Sequence, residues 1–178
     1  MQNSEAILAV DLDHTLIDTD MIHLGLKYIF LHKVYLIPYL IILFFMKGKP
    51  RAKKFLYDNT EFSIKNLPYN NSVINFIKNN RKEYTHVILI SGSYYRYVES
   101  IAHYLDIFDL SVGTTSSINM ISFNKINYIK NKYNNIIFDY IGDSKKDIPI
   151  WEESRNAFVV DRKNITKYLS HINYKIIS

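Results

Sequence analysis

Asp11 and Asp13 stand two residues apart, directly after the apolar run Ile7-Leu8-Ala9-Val10. A short apolar run of this kind reads as a buried strand. Side chains alternate along a strand, so carboxylates at its end and two residues apart can address one site. Two carboxylates held together repel unless a cation or a proton joins them. The pair therefore fits a divalent metal site, or a nucleophile and an acid in different ionisation states. It also fits a solvated loop that caps the following helix.

Residues further along decide how much weight the pair carries. Val87-Ile88-Leu89-Ile90 leads into Ser91-Gly92-Ser93, read as a polar loop. Ile136-Ile137-Phe138 leads through Asp139-Tyr140-Ile141 to Gly142-Asp143-Ser144, with Asp147 four residues beyond Asp143. Three strand-like runs thus end in polar segments. In an open α/β sheet such segments converge at the carboxyl ends of the strands, where ligands bind.

The elements that must position these residues are legible from periodicity. The stretch after Asn70 places Val73, Ile74, Phe76 and Ile77 on one side of a helix, and Val98, Ile101, Ala102 and Leu105 form an i, i+3, i+4, i+7 stripe on the next. A strand follows near 110–112, a helix near 148–153 and a strand near 157–160. This alternation predicts a parallel sheet covered by helices on both faces.

Together, Asp11, Asp13 and Thr15, then Ser91, then a helix-start lysine, then Gly142, Asp143 and Asp147 resemble the four motifs of the haloacid dehalogenase superfamily of phosphatases over roughly residues 5–162. Lys125, Lys130 and Lys132 all precede the last strand; Lys125 is chosen because it opens the amphipathic helix of Ile126, Ile129 and Tyr133. The segments Leu67-Pro68-Tyr69-Asn70, Leu105-Asp106-Ile107-Phe108-Asp109, Gly113-Thr114-Thr115 and 138–144 look like the domain of this superfamily fused ahead of UbiA-type membrane prenyltransferases. The phosphoserine-phosphatase-like branch is the second choice, on His14 and the short insertion. No prenyltransferase is expected in a chain that reaches Ser178 without a series of spans.

This resemblance implies a Rossmann-like core, residues 1–18 and 67–178, with a helical cap at 19–66 inserted after the first strand. It implies a magnesium-dependent phosphomonoesterase. Asp11 would be the nucleophile and Asp13 the general acid and base. Asp11, the Asp13 backbone carbonyl and Asp143 would hold Mg2+. Thr15, Ser91, Gly92 and Lys125 would bind the phosphoryl group, and Asp147 would orient Lys125 or a metal-bound water. Asp147 also fits a plain N-cap of the helix at Ile148. The substrate would be a small metabolite, a phosphosugar or a prenyl-linked sugar phosphate. The same core can transfer its phosphoryl group to another acceptor, or serve as a non-catalytic membrane-associated partner of a prenyltransferase. Dehalogenase chemistry fits less well, because halide displacement needs neither metal nor the acid.

Composition sets the outer bounds. The 178 residues are 48% hydrophobic with no cysteine, which supports a full core without disulfides and excludes thiol catalysis and Cys-ligated zinc. A cytoplasmic location is expected, since no secretory signal is seen. The formal charge of +5 is too small to argue for nucleic acid. His23, His32, His86, His103 and His171 show no metal spacing, and His14 is expected to pack or to touch the site. Oligomeric state leaves no signature.

The insertion carries one further signal. From Tyr28 to Met46 the chain is almost continuously apolar, and Lys47, Lys49, Arg51, Lys53 and Lys54 follow. Two readings stand: helices whose apolar faces pack on each other and on the core, or contact of 28–54 with an acidic membrane surface or a lipid phosphate. His32-Lys33 and Pro38 interrupt the run, which argues against a full span.

Overall fold

The computed structural model describes residues 6–162 and 164–177. Its centre is β1 (Ala6–Val10), buried at all five positions. Ala6, Leu8 and Val10 join one core cluster and Ile7 and Ala9 the other, as the two-residue period of a strand requires. A strand covered on both faces reads as an unbroken apolar run, which is why it was visible in the sequence.

Six strands form a sheet in the order β3-β2-β1-β4-β5-β6, with every neighbouring pair parallel. They are β1, β2 (His86–Tyr94), β3 (Leu110–Thr114), β4 (Ile137–Gly142), β5 (Ala157–Val159) and β6 (Tyr174–Ile176). The order reverses between β1 and β4, and the crevice beyond the strand ends at that reversal is where ligands bind in such sheets. Asp11 leaves β1 and Asp143 leaves β4 at this point.

Helices α4 (Asn71–Asn80) and α5 (Tyr95–Leu105) cover one face through Val73, Ile77, Val98 and Ile101; α6 (Phe123–Lys132) and α7 (Ile148–Glu153) cover the other through Ile126, Ile129, Ile150 and Trp151. Asn70 caps α4 by accepting from the Ser72 and Val73 amides. On the α4 and α5 side of β4, buried Asp139 accepts from the Tyr84 hydroxyl at 2.8 Å, from Arg155 Nη2 at 2.6 Å and from the Asn156 amide at 3.0 Å.

One expectation is corrected here. Ser91-Gly92-Ser93 is not a loop: β2 runs through it to Tyr94, with its register against β3 shifting between Ile90 and Tyr94. Continued pairing, at Tyr94 with Thr114, overrides the weak strand preference of Ser and Gly. Gly113 allows the close approach, since a Cβ there would lie 2.5 Å from the Tyr95 Cα. The edge strand β6, three residues with exposed Lys175, was not anticipated at all.

Between β1 and α4 the chain makes a helical excursion of α1 (Met21–His32), α2 (Ile37–Lys47) and α3 (Lys49–Asn59). It leaves and re-enters through one stem: Ile17 bridges Tyr69, the Asp18 amide donates to the Pro68 carbonyl at 2.7 Å and the Asn70 amide to the Leu16 carbonyl at 2.9 Å. Pro38 and Pro50 sit in the first turns of α2 and α3, where a missing N–H costs nothing. No single helix among the described residues is long and apolar enough to cross a membrane; α1 and Val34–Lys47 would suffice together by length and composition, but they are bent by 117°. Ile29, Leu40, Ala52 and Leu56 pack the helices together, whereas Phe30, Leu31, Tyr35, Phe45 and Met46 face outward.

Candidate active site

Asp11 and Lys125 form the centre of the site. The Lys125 ammonium, in the first turn of α6, lies 2.8 Å from Asp11 Oδ1, and both residues are buried. Lys125 also donates to the Tyr140 hydroxyl at 2.7 Å, and that hydroxyl donates to Asp147 Oδ1 at 2.8 Å. The other Asp147 oxygen accepts from the Ser144 amide at 3.1 Å and its hydroxyl at 2.8 Å. Asp147 therefore turns back to Ser144 instead of capping α7, and it stands 3.8 Å from Lys125.

Carboxylate oxygens of Asp11, Asp143 and Asp147 all lie within 4.8 Å of one another. Burial, reinforced by Asp147 and Asp13, pushes the Asp11 carboxyl up despite the opposing pull of Lys125. Burial acts against the Lys125 charge, yet Asp11 and Asp147 outweigh it and hold the ammonium above its usual range. Three carboxylates thus face one ammonium, and the imbalance favours either an extra proton or a cation. An all-oxygen set of this kind suits a hard divalent cation such as Mg2+.

Asp13 is fixed from three sides. The Met21 amide at the start of α1 donates to Oδ1 at 2.9 Å, and the Ser93 and Ser91 hydroxyls donate to Oδ2 at 2.6 and 3.2 Å. Burial, with Asp20 nearby, nonetheless raises its pKa. A carboxyl so placed can carry a proton at higher pH than an exposed one. His14 beside it has φ 58°, a left-handed conformation that histidine tolerates better than most residues. It lines the cavity and does not pack into the core.

That cavity holds about 240 Å3 and is walled by Asp11, Asp13, Lys125 and Asp143 on the sheet side and by Ile22 and Lys53 on the helical excursion. Gly92 completes the wall; a Cβ there would sit 2.8 Å from Ile121 Cγ2. Buried Lys53 reaches in from α3, donating to the Gly92 carbonyl at 2.5 Å and to Asn119 Oδ1 at 2.6 Å. Burial lowers its pKa to about 8.

The structure brings Asp11, Asp13, Gly92, Lys125, Asp143 and Asp147 around one space. Thr15 and Ser91, expected to meet phosphate, are completely buried behind it. The Thr15 hydroxyl is directed to Asp143 Oδ1 at 3.5 Å and Ser91 to Asp13, so each steadies a carboxylate. Lys130 pairs with Glu153 on the surface and Lys132 is exposed, leaving Lys125 as the one of the three that lines the cavity.

Tyr140, Ser93 and Lys53 were missed as site residues. Strand alternation carried a signal for two: Tyr140 must face opposite to Asp139, and Ser93 shares the side of Ser91. Lys53 was visible only as one of five cations; burial between Ala52 and Leu56 sets it apart.

No family model matches the chain. A curated relative, the uncharacterized protein y4nM of Sinorhizobium fredii, is 30% identical over 153 residues, covering 86% of this chain but only 29% of that protein's own length. Among solved structures, a Bordetella pertussis protein of unknown function superposes with a TM-score of 0.74 at 10% identity, covering 98% of this chain and 99% of that one. A HAD family hydrolase of Salmonella enterica serovar Typhi reaches 0.66 at 13% identity, covering 96% of this chain and 66% of that one. A phosphoserine phosphatase in its apo form also reaches 0.66, at 14% identity with 98% and 94% covered. The chain has the Rossmann-like fold of the haloacid dehalogenase hydrolases.

Proposed function

We propose that the protein hydrolyses phosphate monoesters through an aspartyl phosphate on Asp11. The observation that carries this is the meeting of Asp11, Asp13, Lys125 and Asp143 around one cavity at the switch point of the sheet. Asp11 attacks phosphorus while Asp13 gives its proton to the departing ester oxygen, releasing an alcohol. Asp13, now a carboxylate, takes a proton from water as that water attacks the aspartyl phosphate, releasing inorganic phosphate and restoring both groups. The hydrogen bonds from Ser91, Ser93 and Met21 keep Asp13 aimed through both halves.

Lys125 and Lys53 bring positive charge to the phosphoryl oxygens, with the Gly92 backbone beside them. Asp11, Asp143 and the Asp13 backbone carbonyl would hold Mg2+, which when bound neutralises charge on nucleophile and phosphate. Asp147, with both oxygens engaged by Tyr140 and Ser144, is a positioning residue for Lys125. The test is phosphate release from phosphosugars, phosphoamino acids, nucleotides and lipid phosphates, with and without magnesium, for wild type and Asp11→Asn. Magnesium-dependent release lost in the variant is expected; release that survives Asp11→Asn overturns the covalent reading.

A further inference from the structure

A second cavity adjoins the first. It holds about 400 Å3 between α1, α2 and α3, with Leu40, Ala52 and Leu56 as floor and Leu26, Ile41 and Phe44 among its walls. Ile22, Lys53, Ile121 and Lys146 belong to both spaces. The carboxylate cavity and the apolar groove therefore adjoin along a shared wall, one side charged and the other apolar. Among the described residues no carboxylate lines the groove, and its polar side chains, Lys49, Lys53, Lys146 and Asn119, share it with nine apolar ones.

We infer that the substrate is a phosphate monoester of a long apolar chain, its phosphate among Asp11, Lys125 and Lys53 and its hydrocarbon in the α1–α2–α3 groove. This rests on the hydrolase reading and narrows it to amphiphiles. The junction lysines select an anionic head, and the buried floor of Leu40 and Leu56 offers nothing to a sugar hydroxyl or a charged amine, which would lose hydrogen bonds there. The groove is of ordinary ligand-pocket size. The exposed Phe45, at its rim with 80% of its surface accessible, extends the apolar path outward to solvent.

The experiment is a chain-length series. Butyl, hexyl, octyl and decyl phosphate, each below its micelle concentration, are assayed with magnesium. Burying a methylene contributes about 0.8 kcal/mol, about fourfold; an open groove that buries half of each gives about twofold, so kcat/KM should rise at least about 60-fold over the six methylenes from butyl to decyl. Ile41→Asp, at a half-exposed wall position, should reduce the decyl-to-butyl ratio at least tenfold.

Calorimetric titration with decylphosphonate and butylphosphonate reads the groove without turnover. If no phosphate is hydrolysed but decylphosphonate binds more tightly and Ile41→Asp abolishes the difference, the groove stands and the hydrolase reading falls. If chain length alters neither turnover nor binding, the inference is overturned while hydrolysis of short esters stands. Hexadecyl phosphate in phosphatidylcholine vesicles separates the sources: turnover there identifies a bilayer as the source, and turnover of dispersed monomers alone identifies water.

Discussion

Replacing Tyr140 by Phe deletes one oxygen atom from the middle of the site and tests whether it positions Lys125. The hydroxyl is completely buried and sits between Lys125 Nζ at 2.7 Å and Asp147 Oδ1 at 2.8 Å. Burial, and then Asp147, raise its pKa well above the usual value, so it stays a neutral donor throughout the working range. Hydrogen bonds to charged groups contribute about 1.5–3 kcal/mol each. Loss of two would cost about 3–6 kcal/mol if nothing moved, but Lys125 and Asp147 are already only 3.8 Å apart and can close on each other. The expected net loss is then about 2 kcal/mol, or roughly 4–8 °C in Tm for a chain of this length. That closure draws the ammonium by about 1 Å away from Asp11, a misplacement that costs on the order of 10–100-fold in kcat. The assay is thermal unfolding together with magnesium-dependent phosphate release, for Tyr140→Phe, Asp147→Asn and the double variant. Contact between the residues requires the two effects to be non-additive. A Tm within about 1 °C of wild type and unchanged kcat would refute the positioning role.

Three further outcomes follow from the same geometry. Asp11→Asn removes a carboxyl that burial drives toward its protonated form; without divalent cation the variant should melt higher than wild type at pH 7, and this advantage should shrink as pH falls from 7 toward the ordinary carboxyl value of 3.8, because the folded carboxyl, raised to about 8, already holds its proton while the unfolded one takes it up only over that range. Added magnesium should raise the wild-type Tm and leave the variant's unmoved. Lys53 is charged below its lowered pKa of about 8, so kcat/KM should fall as pH rises through that value, and Lys53→Met should remove this limb, as a pH–rate profile would show. Asp139→Ala strips Tyr84, Arg155 and Asn156 of a shared buried acceptor and should lower stability on the order of 3 kcal/mol, with kcat at permissive temperature preserved because Asp139 faces away from the cavity; an unaltered denaturation midpoint would contradict this account.

Sequence made the scaffold plain because parallel strands covered on both faces leave apolar runs, as Ile7–Val10 and Val87–Ile90 do, and because the helix at Ile148–Glu153 begins and ends where its polar neighbours say. The carboxylates were legible by spacing. What escaped depends on tertiary pairing. Ser91-Gly92-Ser93 has the composition of a loop, and only β3 makes it a strand. Which carboxylates the Thr15 and Ser91 hydroxyls face, Asp143 and Asp13, leaves no mark in the spacing. The run from Tyr28 to Met46 is apolar nearly all round, so periodicity could not say which side Leu40 buries and which Phe45 exposes.

The paired stem beneath the helical excursion makes it exchangeable. Because Ile17 and Tyr69 are bridged and the Asp18 and Asn70 amides are satisfied across the stem, the core ends there at two adjacent points fixed by its own hydrogen bonds. A different set of helices grafted between those points would inherit the carboxylate chemistry while bringing its own selectivity. One residue limits such grafting: Lys53 carries charge from the excursion into the cavity, and a replacement lacking a cation at that place would have to bind its phosphate with the core lysines Lys125 and Lys146.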